Sequence, residues 1–266
     1  MCLLIAGIRS HRNFPIYIAA NREEDQKRKT TLPKIIDEGK ILVAGIDERE
    51  GGAWLGVNHA SILAAITNRE EKGSAGKKRS RGQLVLEVLR QDTLEKIVPL
   101  LKKNAKFYKS FNLLYGNLNL AYLAVWNGKR LTVQKMDPGV HVITRGNADD
   151  RKIPNVRRAF ELLEKQRSET AMPQDFLPTD WRDLFFQLIQ VCKDHEPEKN
   201  QKETICRHDK PVKTVNSTIF ALGNRGVQYS FFWHLTGNPC AGTYRDYTQM
   251  TRKVIIPQKA VSPQIA

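Results

Sequence analysis

The chain has 266 residues, 41% hydrophobic and 27% charged, which is enough to bury a full core without metals or disulfides and excludes wholesale disorder. A net charge of +15 favours anionic partners, yet the basic residues are spread along the chain, with one dense cluster at Lys77, Lys78, Arg79 and Arg81. That distribution argues against nucleic acid, which usually takes a basic stripe with interleaved aromatics.

The chain opens with a short apolar strand, Cys2 to Ile8, then a turn ending at Pro15, then a second strand from Ile16 to Ala20; together they read as a hairpin. Further strands are expected at Ile41–Ile46, Ala53–Val57 and Ser61–Thr67. "SRGQLVLEVLR" switches to helical period, with Ser80 and Gln83 in the form of a capping box. A second helix follows Asp92, kinked or broken near Pro99. Strands return at Phe111–Tyr115, Ala121–Trp126 and Leu131–Lys135, the last two joined by the hairpin signal Asn127-Gly128. Helices are expected from Pro154 and over Trp181–Val191, separated by the loop "KQRSETAMPQDFLPTD" and followed by the loop "KDHEPEKNQKET". Val215–Leu222 and Val227–Leu235 form a terminal hairpin, leaving residues 256–266 as a loose tail. Strands at both ends with helices between them fit an α+β or layered sandwich fold, and one domain over residues 1–255 is the expectation. No phosphate-binding glycine loop is present.

The four irregularly spaced cysteines, Cys2, Cys192, Cys206 and Cys240, point to a reducing, cytoplasmic setting rather than a disulfide framework. No apolar run approaches the roughly 20 residues that span a bilayer, and Arg9 interrupts any leader-like stretch.

Cys2 carries the most specific chemistry. Once the initiator methionine is removed, it bears a thiol and a free amine on adjacent carbons, a nucleophile with its own base. Reference values near 8 for an α-amine and about 8.5 for a thiol lie within about one unit of each other, so the proton moves from sulfur to nitrogen for on the order of 1 kcal/mol. The hairpin brings "AANREED" beside Cys2, since facing residues on paired strands lie about 5 Å apart. Asn21 can then donate to an oxyanion, and Arg22 can bind a substrate carboxylate or favour the thiolate. Glu23 and Glu24 can hold Arg22 or the new ammonium. Asn68, at the end of a strand, is a second oxyanion donor, and Trp54 lies behind the Gly51-Gly52 pair. The basic stretch "GSAGKKRSRG" reads as an anion-binding lip opening a helix N-terminus.

The blocks "MCLL", "AANREE", "GGAWLGVN", "AAITN", "SRGQLV" and "FNLLYGN", and later "VNSTIFAL", stand in an order and spacing that resembles the NRDE family, also called the transport and Golgi organisation two homologues. The resemblance is weaker between about residues 150 and 210. It implies a four-layer αββα sandwich of the N-terminal nucleophile hydrolase type, with catalytic roles at Cys2, Asn21, Arg22, Glu24 and Asn68 and with Ser80, Arg81 and Gly82 in the loop that opens the helix. Ser80 and Arg81 are the expected substrate contacts, and the amphipathic Trp54 joins them as a candidate wall of the site. In this chain the family's Asn-Arg-Asp-Glu reads Asn21-Arg22-Glu23-Glu24, which moves one carboxylate outward by a methylene. The implied activity is hydrolysis of a C–N amide bond in a small acylated or acidic molecule, with no cofactor. Links of eukaryotic relatives to lipid homeostasis, secretory organisation and haem handling imply the alternative, a non-catalytic haem or lipid carrier on the same scaffold.

Cys192, His195, Cys206 and His208 can be drawn as C-x2-H and C-x-H, but the second spacing is poor for zinc, so no metal is expected there. His234, inside "YSFFWHL", reads as a satisfied strand residue. Asp149 and Asp150 have no identifiable partner.

Overall fold

A computed structural model describes residues 2–70, 78–169, 181–195, 203–208 and 211–255. Two antiparallel sheets pack face to face. The first has six strands in the order β10-β1-β2-β11-β12-β13, formed by Gly139–Ile143, Leu3–Ile8, Ile16–Asp25, Val212–Leu222, Phe231–Thr236 and Arg245–Asp246. The second has seven in sequential order, from β3 to β9: Lys34–Ile36, Ile41–Val43, Leu55–Asn58, Leu63–Asn68, Phe111–Gly116, Ala121–Trp126 and Leu131–Lys135.

Helices α1 (Arg81–Leu89) and α2 (Ile97–Asn104) cover the second sheet, α1 on β5 and β6 and α2 on β9. On the other side, α3 (Pro154–Glu169) packs on β10, and α4 (Trp181–Lys193) on β2 and β11. A short helix α5, Thr248–Arg252, sits against β12. The result is the four-layer αββα sandwich that the resemblance implied.

The two sheets lie inside the stack, and that explains the continuous apolar runs. All six residues of β1 are buried, because both of its faces meet a packed layer. Alternate side chains still go to different cores. Leu4, Ala6, Ile8, Ile16, Ile18 and Ala20 join the core that includes the space between the sheets, whereas Leu3, Ile5, Tyr17 and Ala19 pack towards α3 and α4. Edge strand β9 is covered on one face only, and its sequence alternates accordingly.

Several boundaries differ from expectation. β2 runs through the charged NREED segment to Asp25, because β11 lies alongside it over that whole length, with a bulge between Thr214 and Asn216. β3, β10 and β13 are not among the expected strands: β3 and β13 span three and two residues, and β10, with only five, is a strand because it pairs with β1. No kink occurs at Pro99, since a 3₁₀ turn at Leu94–Lys96 precedes α2 and puts the proline in its first turn, where its missing N–H costs nothing. Val227–Tyr229 is a 3₁₀ turn, and only Phe231–Thr236 pairs with β11. α3 continues to Glu169, into the first part of the expected loop. The rest of that loop up to residue 180, residues 196–202 of the next one, residues 73–77 of the basic lip and the tail 256–266 lie outside the described residues. No described helix is long and apolar enough to cross a membrane.

Candidate active site

A cleft of about 190 Å³ opens at the end of the sandwich where β1 begins and β2 and β6 end. Cys2 lines it, half-buried and with a free thiol. Strand register explains why Arg22 joins it. Leu3 faces Asn21 across the β1–β2 ladder, so Cys2 falls opposite Arg22, and both belong to the parity that points between the sheets. Arg22 in turn faces Asn216 on β11. Cys2, Arg22 and Asn216 thus form a row across three neighbouring strands.

Arg22 is only 5% exposed. One arm of its guanidinium, Nη2, donates to Asp47 Oδ2 at 2.8 Å and lies 3.8 Å from Glu24 Oε2, and the group sits over the Trp54 ring with its carbon 4.9 Å from the centroid. The other arm, Nη1, is buried without a hydrogen-bond partner among the described residues, as is the Trp54 indole N–H. Both residues line the cleft. Asn216, 1% exposed, leaves both amide atoms unpartnered. Buried donors without acceptors are costly and call for a partner such as water, an ion or a ligand.

Asp47 holds this arrangement together. Its Oδ2 takes Arg22 and also Arg28 at 2.6 Å, and its Oδ1 accepts from the backbone N–H groups of Arg49 and Glu50. Glu24 Oε2 takes Arg28 at 3.2 Å. The turn built on Asp47 ends at Gly52, which meets the start of α1 backbone to backbone: Ala53 N–H donates to the Gly82 carbonyl. A Cβ on Gly52 would lie 2.4 Å from the Gly82 carbonyl carbon, so these two glycine blocks touch only because neither has a side chain.

Of the residues expected in the site, Cys2, Arg22, Glu24, Asn68, Trp54, Ser80 and Arg81 all line the cleft. Ser80 is the N-cap of α1 but makes no side-chain cap bond; Gln83 reaches across to the Glu50 carbonyl instead, so the expected capping box is not formed. Asn21 requires correction. It is one residue from Arg22 on a strand and therefore faces the opposite layer. There its amide donates to the carbonyls of Cys192 and Ile205 at 3.0 and 3.1 Å and accepts from Ser217 Oγ at 2.6 Å. Glu23 lines the cleft edge but gives Oε2 to Arg207 at 3.2 Å; burial pushes its carboxyl pKa up, against the pull of Arg207.

Sequence reasoning missed Asp47, Arg28, Lys109 and Asn216. Asn216 alone left a signal, an amide inside the apolar run "VNSTIFAL". The cleft is strongly charged: Arg22, Arg28, Lys78, Arg79, Arg81 and Lys109 face Glu23, Glu24, Asp47 and Glu50.

Other expectations resolve away from the cleft. His234 is buried on β12, its Nδ1 2.8 Å from Thr218 Oγ1, and burial lowers its pKa to about 4, as suits a satisfied neutral strand residue. Asp149 does have a partner, His141 Nδ1 at 2.7 Å. Cys192 is fully buried, which pushes its thiol up to about 11 against the opposing pull of Ser217 and Tyr244.

Fold and site together define an αββα sandwich with a cysteine-lined cleft at the first strand. The family model described as Transport and Golgi organisation 2 matches residues 1–259, and the chain belongs to that family. It is 31% identical over 118 residues to the human Transport and Golgi organization protein 2 homolog, a stretch covering 42% of each chain. To the mouse homolog it is 25% identical over 186 residues, 66% of each. Among solved structures it is similar to the Caenorhabditis elegans N-acylethanolamine-hydrolyzing acid amidase ortholog (TM-score 0.49, 14% identity, 84% of this chain and 93% of that one). It is also similar to the C2A mutant of conjugated bile acid hydrolase from Clostridium perfringens (TM-score 0.45, 11% identity, 93% and 96%).

Proposed function

We propose that this chain is an N-terminal cysteine hydrolase that cleaves the C–N bond of a small amide carrying an anionic group. The observation that carries the reading is the row Cys2, Arg22, Asn216 on one face of three adjacent strands, beside two unsatisfied donors. In this mechanism Met1 is removed. The Cys2 thiol proton passes to the freed α-amine as sulfur bonds to the substrate carbonyl carbon and the carbonyl electron pair moves to oxygen. Amides of Asn216 and Asn68 stabilise that oxyanion. On collapse the C–N bond breaks, the ammonium returns its proton to the leaving nitrogen, and a thioester remains. Water then attacks with the α-amine as base, and the S–C bond breaks to release the acid and restore the thiol.

Arg22 Nη1 and the basic rim of Lys78, Arg81 and Lys109 hold the anionic part of the substrate, while Asp47 and Glu24 keep Arg22 and Arg28 in place. The cleft is smaller than the roughly 300–1,000 Å³ of sites for drug-sized ligands, and its lining is charged. Both features favour a small polar substrate over the haem or acyl-chain carrier reading. A reduced thiol is required, which fits a cytoplasmic setting.

The test combines intact-mass measurement, iodoacetamide labelling and a panel of acyl amides with and without carboxylates. The expected outcome is loss of Met1, fastest alkylation at Cys2, and turnover that disappears in Cys2→Ala with an unchanged circular dichroism spectrum. Retention of Met1, or undiminished turnover by Cys2→Ala, would refute the mechanism.

A further inference from the structure

Behind the first sheet, on the side away from the cleft, three segments meet. α4 is followed by Asp194 and His195, residues 203–208 fold back against β2, and the turn after β12 carries Asn238 and Cys240. Hydrogen bonds fasten the middle segment: Cys206 N–H donates to the Asp194 carbonyl, Asn21 holds the Ile205 carbonyl, and Arg207 N–H donates to Thr214 Oγ1.

At their junction two thiols converge on one ring nitrogen. Cys206 Sγ lies 3.5 Å and Cys240 Sγ 3.2 Å from His208 Nε2, and the three ligand atoms are all within 4.8 Å of one another. The opposite ring nitrogen, Nδ1, is 2.8 Å from the Asn238 side-chain amide nitrogen, which also lies 3.3 Å from Nε2. A half-turn of that amide, whose oxygen and nitrogen are not distinguished by shape, lets Nδ1–H donate to it and leaves Nε2 as a lone-pair donor. His195 lies beside this three-residue cluster, its ring tilted 53° to that of His208 with centroids 4.1 Å apart, and its own Nδ1 is buried without a partner among the described residues.

We infer that Cys206, Cys240 and His208 form a structural zinc site, with His195 as the fourth ligand. Two thiolates and imidazole nitrogen are the donor set that selects zinc over oxygen-seeking cations. The tetrahedral arrangement it prefers spaces sulfur and nitrogen ligands at about the separations seen here. The short Cys-x-His spacing, which made the sequence look unsuited to metal, does not matter, because the second thiolate arrives from Cys240, 32 residues beyond His208. Cys192, the other cysteine of the C-x2-H and C-x-H pattern, is turned into the Asn21–Ser217–Tyr244 network instead. Such a site would clamp the end of α4, the 203–208 segment and the turn after β12. Arg207, between two of the ligands, reaches Glu23 at the edge of the cleft.

The experiment uses the full chain, purified under reducing conditions, stripped with chelator and titrated with Co²⁺ and then Zn²⁺. Binding of one Co²⁺ per chain should give sulfur-to-cobalt charge transfer in the near ultraviolet and intense visible bands of a tetrahedral ion, both displaced by Zn²⁺. Cys240→Ser should weaken binding at least tenfold and lower the charge-transfer intensity, with the apo circular dichroism unchanged. His195→Ala should weaken binding while keeping that band. Cys192→Ser should leave binding as it was. A titration without charge transfer, equal binding by Cys240→Ser, or a Cys206–Cys240 disulfide that persists under those reducing conditions would overturn the site. Equal binding by His195→Ala would remove His195 from it.

Discussion

Asp47 is the residue on which the cleft's geometry turns, although it carries no chemistry itself. It accepts from the Arg22 guanidinium and two backbone N–H groups and forms an ion pair with Arg28, while 5% exposed. Removing one partner of a buried ion pair leaves the other charge uncompensated, so Asp47→Ala should cost about 3–5 kcal/mol. Glu164→Ala, which breaks the exposed pair with Arg151, should cost less than about 1 kcal/mol. Urea denaturation of the two variants checks the contrast, and equal losses would mean that Arg22 is held by something other than Asp47. His141 makes a second residue-scale case. Its Nδ1 meets Asp149 at 2.7 Å and its Nε2 the Asp137 carbonyl at 3.0 Å, and these bonds raise its pKa, led by Asp149 and opposed by burial. A raised folded pKa stabilises while the ring is charged, so the contribution is complete below about pH 6.5 and fades as pH rises through the folded value. Asp149 has positive φ, which Asn tolerates, so Asp149→Asn removes charge without backbone strain. The urea midpoints of wild type and Asp149→Asn should differ most near pH 6 and converge towards pH 9; a gap constant with pH would sink the assignment.

At the scale of elements, the site depends on two contacts that no single segment specifies. One is the ladder between β2 and β11, which carries the charged NREED segment as strand and delivers Arg22 and Asn216 to the same face. The other is the backbone contact between the Gly52 turn and the start of α1. In Gly52→Ala the new Cβ meets main-chain atoms, which cannot swing aside, so a loss of about 1–3 kcal/mol is expected, together with slower Cys2 alkylation as the rim shifts. Gly51→Ala finds open space and only the strain of φ +67°. It should cost about 1–2 kcal/mol and leave alkylation unchanged. Thermal melts and labelling rates on the pair separate the two causes; identical labelling in both variants would show that the contact does not shape the cleft.

For the molecule as a whole, charge and layering act together. The +15 net charge raises the local concentration of anions, and the cleft concentrates cationic side chains from α1, β2 and neighbouring segments. For a carboxylate-bearing amide, KM should therefore rise several-fold between about 0.05 and 0.5 M salt as the Debye length shrinks, while a neutral amide shows little change. Steady-state kinetics at two ionic strengths decides this, and parallel behaviour of both substrates would remove the basic rim from substrate binding.

Local sequence determined most of the elements and pointed to most of the residues that line the cleft. Apolar runs marked β1, β6, β7 and β8, helical period marked α1 and α4, and a cysteine at position two beside an Asn-Arg-acid cluster marked the site; these signals are carried by neighbouring residues. Tertiary structure alone decided which side chains share a face. Register put Arg22 with Cys2 and sent Asn21 to the helix layer, because adjacent strand residues point in opposite directions and only the partner strand shows which direction is which. It also brought in Asn216 and Asp47, and it assembled Cys206, His208 and Cys240. Asn216 and Cys240 reach their partners only because β11 and β12 return beside the first hairpin, and Asp47 reaches Arg22 from the other sheet; no local pattern encodes such long-range contacts.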